Sequence, residues 1–296
     1  MTESAHPPAM LRRIVDFPLV MMVVGTAATL LAAFLMGRLI EATWGGEYGN
    51  PGEVVQAILL ALAAGLAYEA YRRWIERDAP PDLSPGARGI GGLLGGLAFG
   101  AVLFSAIAGC VMLLGGMEIV NVNLSGGGLY TMIGIAITSG VIEEIVFRGV
   151  LFRQLERLGG SWVALGVTAL LFGILHITNP NATWLAALAI SMEAGIMLGA
   201  VYMLTRNLWA PIGIHAAWNF TQGYVFSIPV SGTDTPPGLF ITRRVGADWL
   251  TGGAFGLEAS LVAVVIATAA GIGFLVLTVR RGEIRPRRWP EWKISR

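Results

Sequence analysis

The sequence predicts an all-α, polytopic integral membrane protein with about eight transmembrane helices, and three observations carry that prediction. Of its 296 residues 55% are hydrophobic and only 13% charged, against a usual charged share of roughly 25%. The mean hydropathy is +0.67. The apolar residues fall in runs of about 20, the length that crosses a bilayer as a helix, and a helix satisfies its own backbone polar groups in hydrocarbon. An ordinary soluble domain is excluded. The 40 glycines show no collagen-like period, and the apolar content is too high for disorder. A net charge of +1 gives no pointer to nucleic acid. Cys110 is the only cysteine, which excludes an intrachain disulfide and a cysteine-based zinc cluster; inside its apolar run it reads as a small buried residue.

The spans are expected at 17–37, 52–71, 89–115, 129–151, 161–177, 183–204, 209–228 and 257–279. The first follows Arg12 and Arg13. At about 20 residues it exceeds the 7 to 15 of a signal-peptide core and lacks a small-residue cleavage site, so it reads as a retained helix. The third carries Gly91 and Gly95 beside Gly92, Gly96 and Gly100, a spacing of four that lets neighbouring helices approach closely. Ser161 opens the fifth as its N-cap. The main loops are the Pro-rich stretch Ala79–Ser84 and the 28-residue polar connection Pro229–Gly256. Neither is a domain. The chain divides into 1–128 (three N-terminal helices), 129–228 (a core of four helices) and 229–296 (a loop, the last helix and a basic tail). It shows no internal repeat of the kind many transporters carry.

Basic residues accumulate in cytoplasmic loops, which tests the eight-span arrangement. Segments on one side hold 16 basic residues, from Arg12 and Arg13 to Lys293 and Arg296; the other side holds only Arg38, Arg243 and Arg244. Both termini are therefore expected in the cytoplasm, in a multi-pass protein of the cell's inner membrane.

An ionisable side chain within the bilayer is costly and a functional candidate by default. The expected spans contain Glu143, Glu144, Arg148, His176 and His215, with Asn219 and, two spans from the glutamates, Glu193. His6, the third histidine, lies in the polar N-terminal tail and reads as solvated. Glu144 and Arg148 are four apart on one helix face and can pair, while Glu143, about 100° round the helix, is left for chemistry. Phe172 and His176 are four apart, as are His215 and Asn219, so each pair projects from one face. A carboxylate and an imidazole can together hold and deprotonate a water that attacks an amide carbonyl, and a second imidazole with an amide can donate to the oxyanion. Alternatively, Glu143, His176 and His215 form the ligand set of a catalytic zinc site; the sequence does not separate the two. Taken singly, an intramembrane histidine or glutamate is more often a proton relay, a helix-pairing contact or a pore-lining group. Glu193 is as well explained by an interhelical hydrogen bond. No H-E-x-x-H motif is present.

Glu143-Glu144-Ile-Val-Phe-Arg148-Gly149, then Phe172-Gly-Ile-Leu-His176, then His215-Ala-Ala-Trp-Asn219 resemble, in order and spacing, the E-E-x-x-x-R, F-x-x-x-H and H-x-x-x-N motifs of the CAAX protease and bacteriocin-processing (Abi) family. The likeness covers about residues 129–225. It implies an intramembrane endopeptidase similar to the type II CAAX prenyl endopeptidase, acting on a membrane-associated or prenylated peptide or protein. By that likeness Glu143 and His176 activate water, His215 and Asn219 form the oxyanion hole, and Glu144, Arg148 and Phe172 support them. The cofactor is a divalent metal such as zinc, or none. A non-catalytic scaffold or bacteriocin-immunity protein of the same fold is the alternative, and a transporter using the carboxylates as a relay is a further one.

Overall fold

The computed structural model describes residues 10–45, 49–77 and 81–290; His6, Ala79, Lys293 and Arg296 lie outside the described residues. A short α1 (Met10–Val15) leads into α2 (Pro18–Trp44), which opens on a proline, the residue that gives up no hydrogen bond at a helix start. The side chain of Asn50 caps α3 (Pro51–Tyr71), which runs on as a π-helical turn over Arg72–Glu76. After α4 (Ala87–Leu113) come a strand β1 (Met117–Val122) and one continuous rod: α5 (Leu129–Glu144), a π-helical stretch Ile145–Phe152, and α6 (Arg153–Gly159). α7 (Ser161–Leu175) closes in a 3₁₀ turn, His176–Thr178. Thr183 caps α8 (Trp184–Ile190), which continues through a π turn, Ser191–Gly195, into α9 (Ile196–Thr205). α10 (Trp209–Phe220) likewise ends in a π turn, Thr221–Val225. The chain then forms β2 (Phe240–Arg244), α11 (Asp248–Thr251) and α12 (Leu261–Arg280), the last capped by Ser260.

Among the described residues six helices are long and apolar enough to cross a membrane: Pro18–Trp44, Pro51–Glu76, Ala87–Leu113, Ser161–Thr178, Trp184–Thr205 and Leu261–Arg280. Their outward faces expose large apolar side chains, among them Val23, Phe34, Leu66, Val102, Leu170 and Val265, a surface that water disfavours and lipid accepts. These helices correspond to six of the eight expected spans. The other two expected segments form the rods 129–159 and 209–225, which hold Glu143, Glu144, Arg148, His215 and Asn219 and sit inside the bundle.

The nearly all-α fold carries one small sheet among the described residues, in which β1 and β2 pair antiparallel, Met117 opposite Arg244. Two expectations are corrected. Ser161 is the first residue of α7 rather than its cap. Gly160, at φ 83°, takes the capping position, and the Ser161 hydroxyl instead donates to Glu156 Oε1 (2.5 Å) while accepting from the Arg285 backbone N–H (2.9 Å). The glycine ladder is used on one side only: Gly91 and Gly95 face open space, whereas Gly92, Gly96 and Gly100 face α10. A Cβ at Gly96 would strike the Ala210 carbonyl oxygen and lie 3.0 Å from Ile214 N. Replacing Gly96 by valine is therefore expected to lower stability by about 1–3 kcal/mol, read as a fall in the unfolding midpoint in detergent; Gly95→Val, on the open side, should leave the midpoint unchanged.

The Pro-rich loop is tied into the bundle rather than free of it. Asp82, 2% exposed, accepts from Tyr68 Oη (2.8 Å), Arg153 Nη1 (2.9 Å) and Tyr202 Oη (3.1 Å), so α3, α6 and α9 meet on one carboxylate. The main core lies between α4, α9, α10 and α12, where Phe104 meets Trp218 edge-on at 5.1 Å among Ile107, Val111, Ile214 and Leu257.

Candidate active site

α5 and α10 approach closely because a Cβ at Gly140 would already lie 3.1 Å from the Ala216 side chain. That approach brings Glu144 to His215: Oε1 accepts from Nδ1 at 3.0 Å. The same oxygen takes Arg148 Nη1 at 2.8 Å, the pair expected from the spacing of four, and both side chains are fully buried. Arg148 reaches further. Its Nη2 donates to the Ala194 and Gly195 carbonyls at 3.3 Å each, and its guanidinium lies 4.9 Å over the Phe172 ring. Those two carbonyls end the π turn between α8 and α9, where the regular helical ladder is broken and acceptors are left for other donors. One arginine thus joins α5, α7 and the α8–α9 rod.

His176 stands where α7 ends. Its own backbone N–H turns back to Gly173 O, three residues earlier. The Phe172 carbonyl is one of the acceptors a helix end leaves over, and the His176 Nδ1 takes it at 2.7 Å. With Nδ1–H donated to a carbonyl, Nε2 carries the lone pair. The Phe172 ring is the centre of an aromatic cluster, edge-on to Phe147 at 4.8 Å, tilted against His176 at 4.8 Å and edge-on to His215 at 6.0 Å.

Phe172, His176, His215 and Asn219 line one cleft, with room for a water molecule. Asn219 Nδ2 donates one hydrogen to Ser139 Oγ (2.9 Å), leaving the second for the cleft. Glu144 and Arg148 brace His215 from behind. Glu143 stands outside the cleft wall, and its Oε2 is buried with no hydrogen-bond partner. Glu193 is 1% exposed with both carboxylate oxygens unpartnered; the interhelical hydrogen bond expected of it is not formed. Among the described residues no three histidine, cysteine, aspartate or glutamate side chains converge so as to hold a metal ion. Glu143, His176 and His215 do not fit a three-ligand centre in this arrangement.

Reasoning from the sequence missed Ser139, Gln222, Ser231 and Glu258. Ser231 and Glu258 form a wall of the cleft, and Glu258 carried a legible signal as a carboxylate at the start of the last expected span.

Residues 125–221 match the family model described as type II CAAX prenyl endopeptidase Rce1-like, a stretch of about a third of the chain that opens just before α5 and closes just after Phe220. Neither the curated proteins nor the solved structures contain a match to the chain. The protein is an integral membrane protein whose residues 125–221 are similar to the Rce1-like type II CAAX prenyl endopeptidase domain.

Proposed function

We propose that the chain is an intramembrane endopeptidase of the CAAX-protease type, hydrolysing a peptide bond in a membrane-associated or prenylated protein or peptide. The observation that carries this reading is the pair of unspent acceptors: Glu143 Oε2, buried without a partner, and His176 Nε2, left free because Nδ1 is committed to the Phe172 carbonyl. A water in the cleft is held by His176 Nε2; with the Glu143 side chain turned from behind the cleft wall to reach it, the water gives a proton to this pair as its oxygen attacks the carbonyl carbon, and the proton passes to the departing amine when the C–N bond breaks. His215 Nε2 and the second Asn219 N–H serve the oxyanion. Glu144 supplies the counter-charge for an imidazolium at His215, the form in which Nε2 donates. Eight membrane crossings with both termini in the cytoplasm fit the distribution of arginines.

The test compares peptide termini, by mass spectrometry, in membranes from cells making the parent chain and cells making Glu143→Gln at equal levels. Termini found only with the parent are expected and would name the substrate. Identical termini with an unchanged phenotype would reject the reading and favour a scaffold.

A further inference from the structure

The three motifs and the matched domain end by residue 221, yet the cleft does not. Its remaining wall comes from the segment between α10 and α12, through Ser231 and Glu258. Glu258 is 4% exposed and rigidly held. Its Oε2 accepts from Ser231 N (2.6 Å) and Gln222 Nε2 (3.1 Å), and its Oε1 from Ser231 Oγ (3.2 Å). The segment is fastened in turn to the loop that follows His176, where Asn179 Nδ2 donates to Ser231 O (3.0 Å) and Asn181 Nδ2 to Gly232 O (3.1 Å). Glu258 therefore faces the cleft at a fixed distance from the residues of the proposed chemistry.

All the donors that hold Glu258 are neutral. Neutral donors fix a carboxylate without cancelling its charge, and a buried charge is costly unless paired; the ionisable group of opposite sign within its electrostatic reach is His176, whose Nε2 keeps its lone pair in the proposed chemistry. A fastening role alone would be met by glutamine, which accepts through one oxygen and carries no charge. Glu193 adds to the imbalance. It occupies the helix face that also presents Ile190, Ala194 and Met197 to the cleft, its two oxygens are buried without partners, and it lies within electrostatic reach of Glu258. Elsewhere the cleft is apolar, through Met197, Leu198, Ile214 and Trp218. The result is an apolar slot with an acidic end, and Oε1 of Glu258 keeps one lone pair for a further donor.

We propose that Glu258 is a specificity-determining residue, receiving a cationic group of the bound peptide, a lysine or arginine side chain or a free α-amino group, at the acidic end of the cleft. This rests on the peptidase reading of the same cleft, but its test reads binding and needs no turnover. The full chain carrying Glu143→Gln, which prevents cleavage, is placed in nanodiscs of uncharged phosphatidylcholine. It is titrated with N-acetylated octapeptides of leucine and alanine in which one position, walked along the peptide, is lysine, acetyl-lysine or glutamate. In one register lysine should bind about tenfold more tightly than acetyl-lysine, as a charge-assisted hydrogen bond would give, and glutamate more weakly than either. Glu258→Gln should bring the lysine to acetyl-lysine ratio close to one, and Glu258→Asp should keep part of it. Equal binding of lysine and acetyl-lysine at every position, no binding of any lysine peptide, or a preference that survives Glu258→Gln would each overturn the proposal. The first comparison needs no change at Glu258, so a folding defect there cannot mask the answer. Cleavage lost in Glu143→Gln cells alongside charge-blind binding would sink this proposal and leave the peptidase reading standing.

Discussion

Arg148→Ala is expected to destabilise the protein by about 3–5 kcal/mol, the cost of removing one member of a buried ion pair and leaving the other uncompensated. Glu144 would then be fully buried with only His215 as a partner, and the Ala194 and Gly195 carbonyls would lose their shared donor. Arg148→Lys should rescue little, because an ammonium cannot reach a carboxylate and two carbonyls on a neighbouring rod from one plane, nor lie flat over Phe172. Intrinsic tryptophan fluorescence during thermal unfolding in detergent gives the measurement. A variant combining Glu144→Gln with Arg148→Met removes both charges together and should unfold at a higher temperature than Arg148→Ala. An Arg148→Ala midpoint equal to the parent's would mean that the pair contributes nothing to holding the three rods together.

The second large effect is kinetic. Removing one oxyanion donor costs about 10²- to 10³-fold in kcat, so His215→Ala and Asn219→Ala should each fall by that amount on the substrate named by the terminus comparison. KM should stay near its parent value, since a group that acts only on the developing charge lowers kcat and kcat/KM together. Ser139→Ala should cost roughly tenfold, as is usual when a supporting hydrogen bond is lost behind a working side chain; Ser139 touches Asn219 and not the cleft. If either larger variant instead raises KM with kcat unchanged, His215 and Asn219 bind the ground state and the assignment of an oxyanion hole fails.

The site was legible in the sequence wherever helical spacing alone decides contact. Glu144 with Arg148, Phe172 with His176, and His215 with Asn219 are each four apart, and each pair meets or shares a face because a helix turns close to once in that distance, in its α or its π form. Long-range pairing left no such trace. β1 joins β2 across more than a hundred residues, and nothing within Met117–Val122 states its partner. The Pro-rich loop read as a mere connection because the burial of Asp82 depends on Tyr68, Arg153 and Tyr202, three residues from three distant helices. α2 continues to Trp44, beyond the expected 37, with Arg38 and Glu41 pairing along its exposed surface, so a polar pair did not mark the helix end.

A chain emerges from the ribosome in order, and this one completes its three motifs by Asn219. At that moment the cleft still lacks a side: Ser231 and Glu258 have yet to be made, and α12, whose Gly271 packs so closely that a Cβ there would lie 3.1 Å from Met197 Cα, has yet to dock. The nascent protein therefore holds every residue of the proposed chemistry before it holds a finished cleft. The wall that finishes the cleft is thus made after every residue of the proposed chemistry.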